Sequence, residues 1–149
     1  MPRRRRPLGL LARALVAGAL GFALWRAAAA PDGPLEPAWD RVACARCHML
    51  VSNPRFAAQL HTRAGEVRFF DDPGCLLLAR AETSEAPAAV WFHDSTGDGW
   101  LAESDTRFAA AAETPMDHGF AAVPAERAPF ALDAAATLVA LRGAEEAAR

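Results

Sequence analysis

The stretch GEVRFFDDPGCLLL, residues 65–78, carries the clearest local signals in the sequence. Glu66–Phe70 has the composition of a β-strand and follows a glycine-containing turn. Asp72 suits the N-cap of a helix and Pro73 its first position, and the apolar residues after them extend the expected helix to about Glu82. The stretch therefore predicts a strand that leads directly into a short helix.

A similar order of elements occurs twice along the chain. Around the stretch above, strands are expected at Phe56–His61 before it and at Ala88–His93 after it. In the second half, strands at Phe120–Val123 and Pro129–Leu132 precede a helix that is capped by Asp133, runs to about Arg142 and is expected to end at Gly143. Additional strands are expected from Trp100 onward and over Arg107–Glu113. We therefore predict an α+β fold of two pseudo-repeated strand–strand–helix–strand units with small β-sheets, preceded by an N-terminal hydrophobic helix.

Charge is distributed unevenly along the 149-residue chain, which contains 16 basic and 18 acidic residues. All the basic residues are arginines, and six of them but no acidic residue precede Pro31. The remaining 119 residues therefore have 10 basic and 18 acidic side chains, a net charge of −8. That length suffices for one domain with a modest core. Because nucleic-acid binding requires a basic face, we predict no nucleic-acid partner.

The first 30 residues have the organisation of an export signal. Met1–Arg6 is strongly basic, Ala14–Trp25 is an apolar run, and small residues follow. The segment is also long enough to remain as a membrane anchor, so residues 1–30 are interpreted as an export signal or a membrane anchor. This predicts a location on the periplasmic side of the inner membrane, or in the periplasm if the signal is cleaved. Residues 31–40, rich in proline, are predicted to form a linker, and residues 41–149 the functional domain.

Side chains that bind soft metal ions are concentrated in two short motifs. CARCHM, residues 44–49, contains two thiols, an imidazole and a thioether, and PMDH, residues 115–118, adds a second thioether and imidazole. The two methionines besides the initiator, Met49 and Met116, both lie close to a histidine. Thiolates and thioethers select Cu(I), which accepts two or three ligands, whereas zinc prefers four ligands without a thioether. The motifs therefore predict a Cu(I) site.

The spacing of the first motif indicates how such a site would form. In an extended stretch, Cys47 and Met49 would face the same way and bind one ion together, while His48 would point elsewhere. Met116 or His118, contributed by the second unit, would then complete a three-coordinate site.

The C-x-x-C-H pattern of Cys44, Cys47 and His48 leaves other interpretations open. It is the attachment motif of c-type haem, for which Met116 would be a distal ligand, although the predicted short strands differ from the helical fold of such cytochromes. It also fits a redox-active dithiol or a structural disulfide. Cys75, in a leucine-rich segment, is interpreted as a buried structural cysteine, whereas Cys44 stays a candidate metal ligand beside Cys47.

Four segments of the chain carry a family resemblance. They are CARCHMLVSNPRFAAQL, GEVRFFDDPGCLLL, AAVWFHDSTGDGWLAE and ETPMDHGFAAV, in this order between Cys44 and Val123. Together they resemble the NosL family, exported accessory proteins of nitrous oxide reductase assembly that are regarded as copper chaperones. The resemblance implies a fold shared with the organomercurial lyase group, similar to the duplicated units predicted above.

The resemblance also implies particular ligands and partners. The C-G-M element of the family matches Cys47 and Met49, and a later P-M-G-like turn matches Met116. His48 stands where glycine is usual, which leaves both His48 and His118 as candidate metal ligands. Many members are lipoproteins, whereas this chain has no cysteine near the end of its apolar run, so the N-terminal segment itself would provide the membrane attachment. The implied function is an exported Cu(I) metallochaperone without enzyme activity. It would deliver copper to a periplasmic cuproenzyme or copper-delivery machinery, such as that of nitrous oxide reductase; the alternative is a monohaem c-type cytochrome.

Overall fold

The computed structural model describes Arg13, residues 15–21 and residues 31–149. Arg13 and residues 15–21 are helical, and the rest of the predicted export signal or anchor at residues 1–30 lies outside the described residues. Within the described part of the chain, no helix combines the length and the apolar character needed to cross a membrane. The fold presented below is that of residues 31–149.

The first half of the fold is built on a four-stranded antiparallel sheet with the strand order β2-β1-β3-β4. The strands are β1 (Ala58–His61), β2 (Val67–Phe70), β3 (Ala89–His93) and β4 (Trp100–Ala102). The predicted strands at 56–61, 66–70 and 88–93 are therefore confirmed, with small changes at their ends. β1 begins later than predicted because Pro54–Phe56 forms a 3-10 turn capped by the side chain of Asn53.

Helix α1 (Pro73–Ala81) follows β2 directly, as the 65–78 stretch predicted. Asp72 is its N-cap and accepts the N–H of Gly74 at 2.7 Å, which satisfies one of the free amides of the first turn. The leucines of the helix are buried, with Leu76 and Leu77 completely so. Burial of each such side chain contributes about 1.5–3 kcal/mol, which is the main reason why a helix this short is stable.

The second half contains a two-stranded antiparallel sheet and a longer helix. They are β5 (Thr106–Ala110), β6 (Phe120–Pro124) and α2 (Ala134–Ala147), the last capped by Asp133. The strand predicted at Pro129–Leu132 is not formed: Ala131 closes a turn on Ala128, and Leu132 makes one isolated bridge to Phe108. Of the second predicted unit, the strand at 120–123 and the helix after Asp133 are therefore confirmed, whereas the strand at 129–132 is not.

The C-terminal helix also extends beyond its predicted end. A stop was expected at Gly143, yet α2 continues through this residue to Ala147. The residues after Gly143 are alanine and glutamate, which favour a helix strongly enough to offset the cost of one glycine, about 1 kcal/mol.

One apolar core joins the two halves of residues 31–149. Helix α1 contacts β1 and β2 of the larger sheet, β6 of the smaller sheet and helix α2. Phe92 from β3 meets Phe108 from β5 edge to face, with ring centroids 4.9 Å apart. Helix α1 is therefore the central element, and its first turn lies where segments from both halves meet.

Residues in the predicted linker contact the larger sheet. The N–H of Leu35 donates to Oε1 of Gln59 at 2.8 Å, and Nε2 of Gln59 donates to the carbonyl of Leu35 at 2.9 Å. Nε1 of Trp100 donates to Oε1 of Glu36 at 2.9 Å. These bonds hold residues 35 and 36 against β1 and β4.

Candidate metal centre

The CARCHM motif forms a tight loop between two short antiparallel segments. Ala43 and Leu50 form an isolated β-bridge, and the N–H of Cys44 donates to the carbonyl of Met49 at 2.8 Å. At the tip, the N–H of His48 donates to the carbonyl of Cys44 at 3.1 Å, and His48 has a φ of 65°. This left-handed conformation favours glycine. The stretch from 47 to 49 is therefore a turn, and the alternation of side chains expected for an extended stretch does not apply to it.

Cys75 meets the two cysteines of this loop. Its sulfur and those of Cys44 and Cys47 all lie within 4.8 Å of one another. Cys44 and Cys75 are completely buried, and Cys47 is half-buried. We call these three residues the thiol cluster. Three sulfurs in this arrangement can hold a metal ion. Cys75, for which the sequence predicted a structural role, is therefore also a candidate ligand.

Local backbone contacts explain why Cys75 reaches the loop. The N–H of Ala45 donates to the carbonyl of Phe69 at 2.8 Å, which attaches the loop to the end of β2. Strand β2 ends at Phe70 and helix α1 begins at Pro73, so Cys75 in the first turn of α1 lies next to the loop. This link between the loop and β2 is a long-range contact that no motif in the sequence signals.

The thiol cluster is electrostatically asymmetric. A hydrogen bond from the Cys75 thiol lowers the pKa of Cys44 to about 4, against the opposing effect of burial, and backbone amides including that of Asp71 add to the lowering. The same hydrogen bond, together with burial, raises the pKa of Cys75 far above its ordinary value. Burial raises the pKa of Cys47. Cys44 is therefore the thiolate of the cluster at neutral pH, and a bound cation would have to displace the protons of the other two.

Asp71 and Asp72 connect the cluster to neighbouring segments. Besides capping α1, Asp72 accepts the N–H of Met116 through Oδ2 at 3.3 Å. Asp71 accepts the N–H of Ser52 at 3.3 Å, and burial raises its pKa. Both carboxylates are buried. The capping role predicted for Asp72 is thus confirmed, and its second bond ties the loop with Met116 to the start of α1.

The PMDH motif brings His118 to the thiol cluster. Nε2 of His118 lies 3.9 Å from Sγ of Cys75. The imidazole ring lies against Gly74, where an added Cβ would be only 2.5 Å from Cδ2 of the ring. Asp117 and Gly119 on either side adopt positive φ values of 56° and 76°, which form the turn that presents the histidine.

The remaining candidate ligands lie at different depths around the cluster. Met116 is half-buried and packs against the core that contains Cys44 and Cys75. Met49 is 58% exposed and His48 is also exposed. The structure therefore brings the three cysteines together and places His118 against one of them, Cys75. Met116 lies nearby in the core, whereas Met49 and His48 lie at the surface.

Arg46 attaches the cysteine loop to both helices. Its guanidinium pairs with Glu82, the C-cap residue of α1, at 3.2 Å and with Glu145 of α2, also at 3.2 Å. Because Arg46 lies between Cys44 and Cys47, these ion pairs restrain the loop that carries two of the three sulfurs.

Comparison with known proteins adds no relative. The chain matches no protein-family model, and no significant match is found among curated proteins or solved structures. The resemblance to the NosL family therefore stays a prediction from the motifs.

Proposed function

We propose that the protein is an exported Cu(I)-binding metallochaperone whose ion-binding centre is the thiol cluster. The observation that carries this proposal is the convergence of three sulfurs within 4.8 Å. A trigonal ion with metal–sulfur bonds of about 2.3 Å, the length of a Zn–S bond, needs sulfurs about 4.0 Å apart. Movements of less than about 1 Å would therefore form the site, and soft thiolates at low coordination number favour Cu(I).

The unequal burial of the three sulfurs supports a role in transfer. Cys44 and Cys75 are completely buried and would retain the ion, whereas the half-buried Cys47 can be approached from outside. A thiol or thioether of a partner would replace Cys47 first, and the ion would pass over through shared ligation. The thioether of Met49, two residues from Cys47 in the sequence, is exposed and is a second soft donor that a partner-bound ion could contact during transfer. Such a transfer involves no catalytic turnover, so the protein is proposed not to be an enzyme.

The resemblance to the NosL family supports the wider biological part of the proposal. It suggests a periplasmic copper-dependent enzyme or its copper-delivery machinery as the recipient, with the assembly of nitrous oxide reductase as one case. The basic and apolar composition of residues 1–30 supports export and attachment to the inner membrane. The net charge of −8 in residues 31–149 would favour a basic partner surface.

Anaerobic titration tests the proposal directly. The reduced full chain is titrated against a chromophoric Cu(I) chelator, and we expect one ion per chain. Cys47→Ser and Cys75→Ser should each weaken binding by more than about 100-fold, since even outer-shell partners of a metal contribute 10–100-fold. The exposed Ser104→Ala variant is the control and should bind as the wild type does. Unchanged affinity in both cysteine variants would refute a thiol-cluster copper site.

A second titration distinguishes the contribution of the thioethers. The family resemblance implies that Met49→Ala and Met116→Ala weaken Cu(I) binding strongly. If the three cysteines alone hold the ion, both variants should retain the affinity of the wild type. Comparison of the two methionine variants with Cys75→Ser therefore shows which ligand set is used.

The monohaem cytochrome alternative receives less support from the geometry. Covalent attachment of haem needs both thiols of C-x-x-C-H open to a large planar ring, whereas Cys44 is completely buried beside Cys75. Expression together with haem-maturation machinery decides this question: colourless protein excludes the cytochrome, and a Soret band that survives denaturation would establish it.

A further inference from the structure

The position of His118 adds a nitrogen donor to the three sulfurs. Its Nε2 is 3.9 Å from Sγ of Cys75, and the three sulfurs lie within 4.8 Å of one another. In a tetrahedral zinc site, bonds of about 2.3 Å to sulfur and 2.0–2.1 Å to nitrogen give donor separations of about 3.6 Å for S···N and 3.8 Å for S···S. The separation of Nε2 of His118 from Sγ of Cys75 is thus a few tenths of an ångström longer than that required, and movements of the ring and the loop would bring the other two sulfurs into the same coordination sphere.

We propose that the thiol cluster and His118 together form a four-coordinate site for a divalent cation of the zinc type. This proposal goes beyond Cu(I) binding, because it assigns a second class of ion and a fourth ligand to the same pocket. Three cysteines and one histidine are among the ligand sets that form closed tetrahedral zinc sites. Cu(I) needs only the three sulfurs, so His118 distinguishes the two ions.

The charge of the surroundings favours a divalent ion. Three thiolates with Cu(I) leave a net charge of −2 in the pocket, whereas three thiolates with Zn²⁺ and a neutral imidazole leave −1. Asp71 and Asp72 are buried beside the cluster. Besides burial, the charge of Cys44 raises the pKa of Asp71, and besides the hydrogen bond to Cys44 and burial, the charge of Asp72 raises the pKa of Cys75, so additional negative charge is costly. The guanidinium of Arg46, in the same loop, is already paired with two glutamates. The second positive charge of a divalent cation therefore compensates the negative charge of the pocket better than the single charge of Cu(I) does.

Gly74 is the residue that permits His118 to reach the cluster. A Cβ at this position would come within 2.5 Å of Cδ2, 2.6 Å of Cγ and 2.8 Å of Cβ of His118, so the ring would have to move. The three cysteines would be left intact. Gly74→Ala therefore displaces the proposed fourth ligand without deleting it, and alanine suits a helix at least as well as glycine does.

Cobalt substitution of the full-length reduced protein tests the site. Co²⁺ in a tetrahedral thiolate site shows strong ligand-field bands and a sulfur-to-cobalt charge-transfer band, and Zn²⁺ should displace it stoichiometrically. We expect His118→Ala and Gly74→Ala to lower the Co²⁺ and Zn²⁺ affinities by at least about tenfold and to weaken the tetrahedral spectrum. His118→Cys should restore the metal affinities and the tetrahedral spectrum, because a fourth thiolate also gives a tetrahedral site. His48→Ala is the matched control, since His48 is exposed beside Cys47.

The Cu(I) titration of the same variants separates this proposal from the proposed function. Unchanged Cu(I) affinity in His118→Ala, together with lost divalent affinity, supports the four-coordinate site. Wild-type divalent affinity in His118→Ala, an octahedral Co²⁺ spectrum in the wild type, or an equal loss for Cu(I) and Zn²⁺ would each overturn it. A wild-type chain that binds Zn²⁺ but not Cu(I) would overturn the chaperone proposal and leave this one standing. Far-ultraviolet circular dichroism of the metal-free variants confirms that each is folded.

Discussion

Replacement of Asp72 by alanine should cost the metal-free protein distinctly more stability than the same replacement at Asp133. Both carboxylates cap a helix: Asp72 accepts the N–H of Gly74 at 2.7 Å, and Asp133 accepts that of Ala136 at 2.8 Å. Asp72 is completely buried and also accepts the N–H of Met116 at 3.3 Å, whereas Asp133 is exposed. The pair of variants therefore isolates the bond that ties the loop of Met116 to α1.

The expected difference follows from the bonds that each variant loses. Loss of an N-cap costs about 1 kcal/mol, which is the whole effect expected for Asp133→Ala. A hydrogen bond to a charged acceptor contributes about 1.5–3 kcal/mol, and the 3.3 Å length of the Met116 bond favours the lower value. Asp72→Ala should therefore cost about 2.5 kcal/mol. Asp72→Asn keeps an oxygen for Gly74 but turns an NH₂ group towards Met116, and should cost about 1.5 kcal/mol.

Urea unfolding, followed by circular dichroism on metal-free protein, measures these free energies by linear extrapolation. Amide exchange at Met116 provides a local readout and should accelerate in Asp72→Asn but not in Asp133→Ala. Equal costs for the two alanine variants, or unchanged exchange at Met116 in Asp72→Asn, would show that the bond contributes nothing to the position of this loop.

Three further predictions concern the core, a buried histidine and the cysteine loop. Phe108→Ala should lower the free energy of unfolding by about 3–5 kcal/mol because the ring is almost completely buried, whereas Phe130→Ala, at a position 99% exposed, should leave it unchanged in the same urea assay. Burial lowers the pKa of His61, against the opposing effect of the backbone carbonyl of Pro31, so the unfolded chain binds more protons below about pH 6.5 and stability should decrease there as the pH is lowered. That decline should be smaller in His61→Gln but not in His48→Gln, as followed by the thermal midpoint against pH. Arg46→Ala breaks two partly exposed ion pairs and should cost no more than about 1 kcal/mol, yet speed the release of Cu(I) to a chelator; an unchanged release rate would contradict its restraint of the loop.

Elements whose ends depend on their own residues were predictable from the sequence. The cap at Asp72 and the proline after it located α1, and the apolar strand 88–93 was found as β3. Elements that depend on distant partners were not: Pro129–Leu132 has strand composition but forms a turn and one bridge. The predicted end of α2 was wrong for a local reason: Gly143 resembles a helix stop, but the alanine and glutamate residues after it favour a helix and continue α2 to Ala147.

The candidate site was predictable only in its local parts. The motif at 44–49 was recognisable because its donors are adjacent in sequence, and the histidine at 118 was a candidate for the same reason. The third sulfur was missed because Cys75 lies in a leucine-rich helix, where a structural role is the simpler interpretation. Its participation depends on the bond between Ala45 and Phe69, which only the folded chain shows. The left-handed residue at 48 was likewise invisible in a pattern that assumed an extended strand.

The four donors around the thiol cluster come from three stretches of chain: the loop with Cys44 and Cys47, the first turn of α1 with Cys75, and the turn with His118. A bound ion would therefore act as a crosslink between segments far apart in sequence. The free energy of binding would add to the free energy of unfolding. A cation present at 1,000 times its dissociation constant adds about 4 kcal/mol to the stability of a folded chain. We accordingly expect loaded protein to survive a protease that digests the empty form, so that the lifetime of the chain would itself report whether it carries metal.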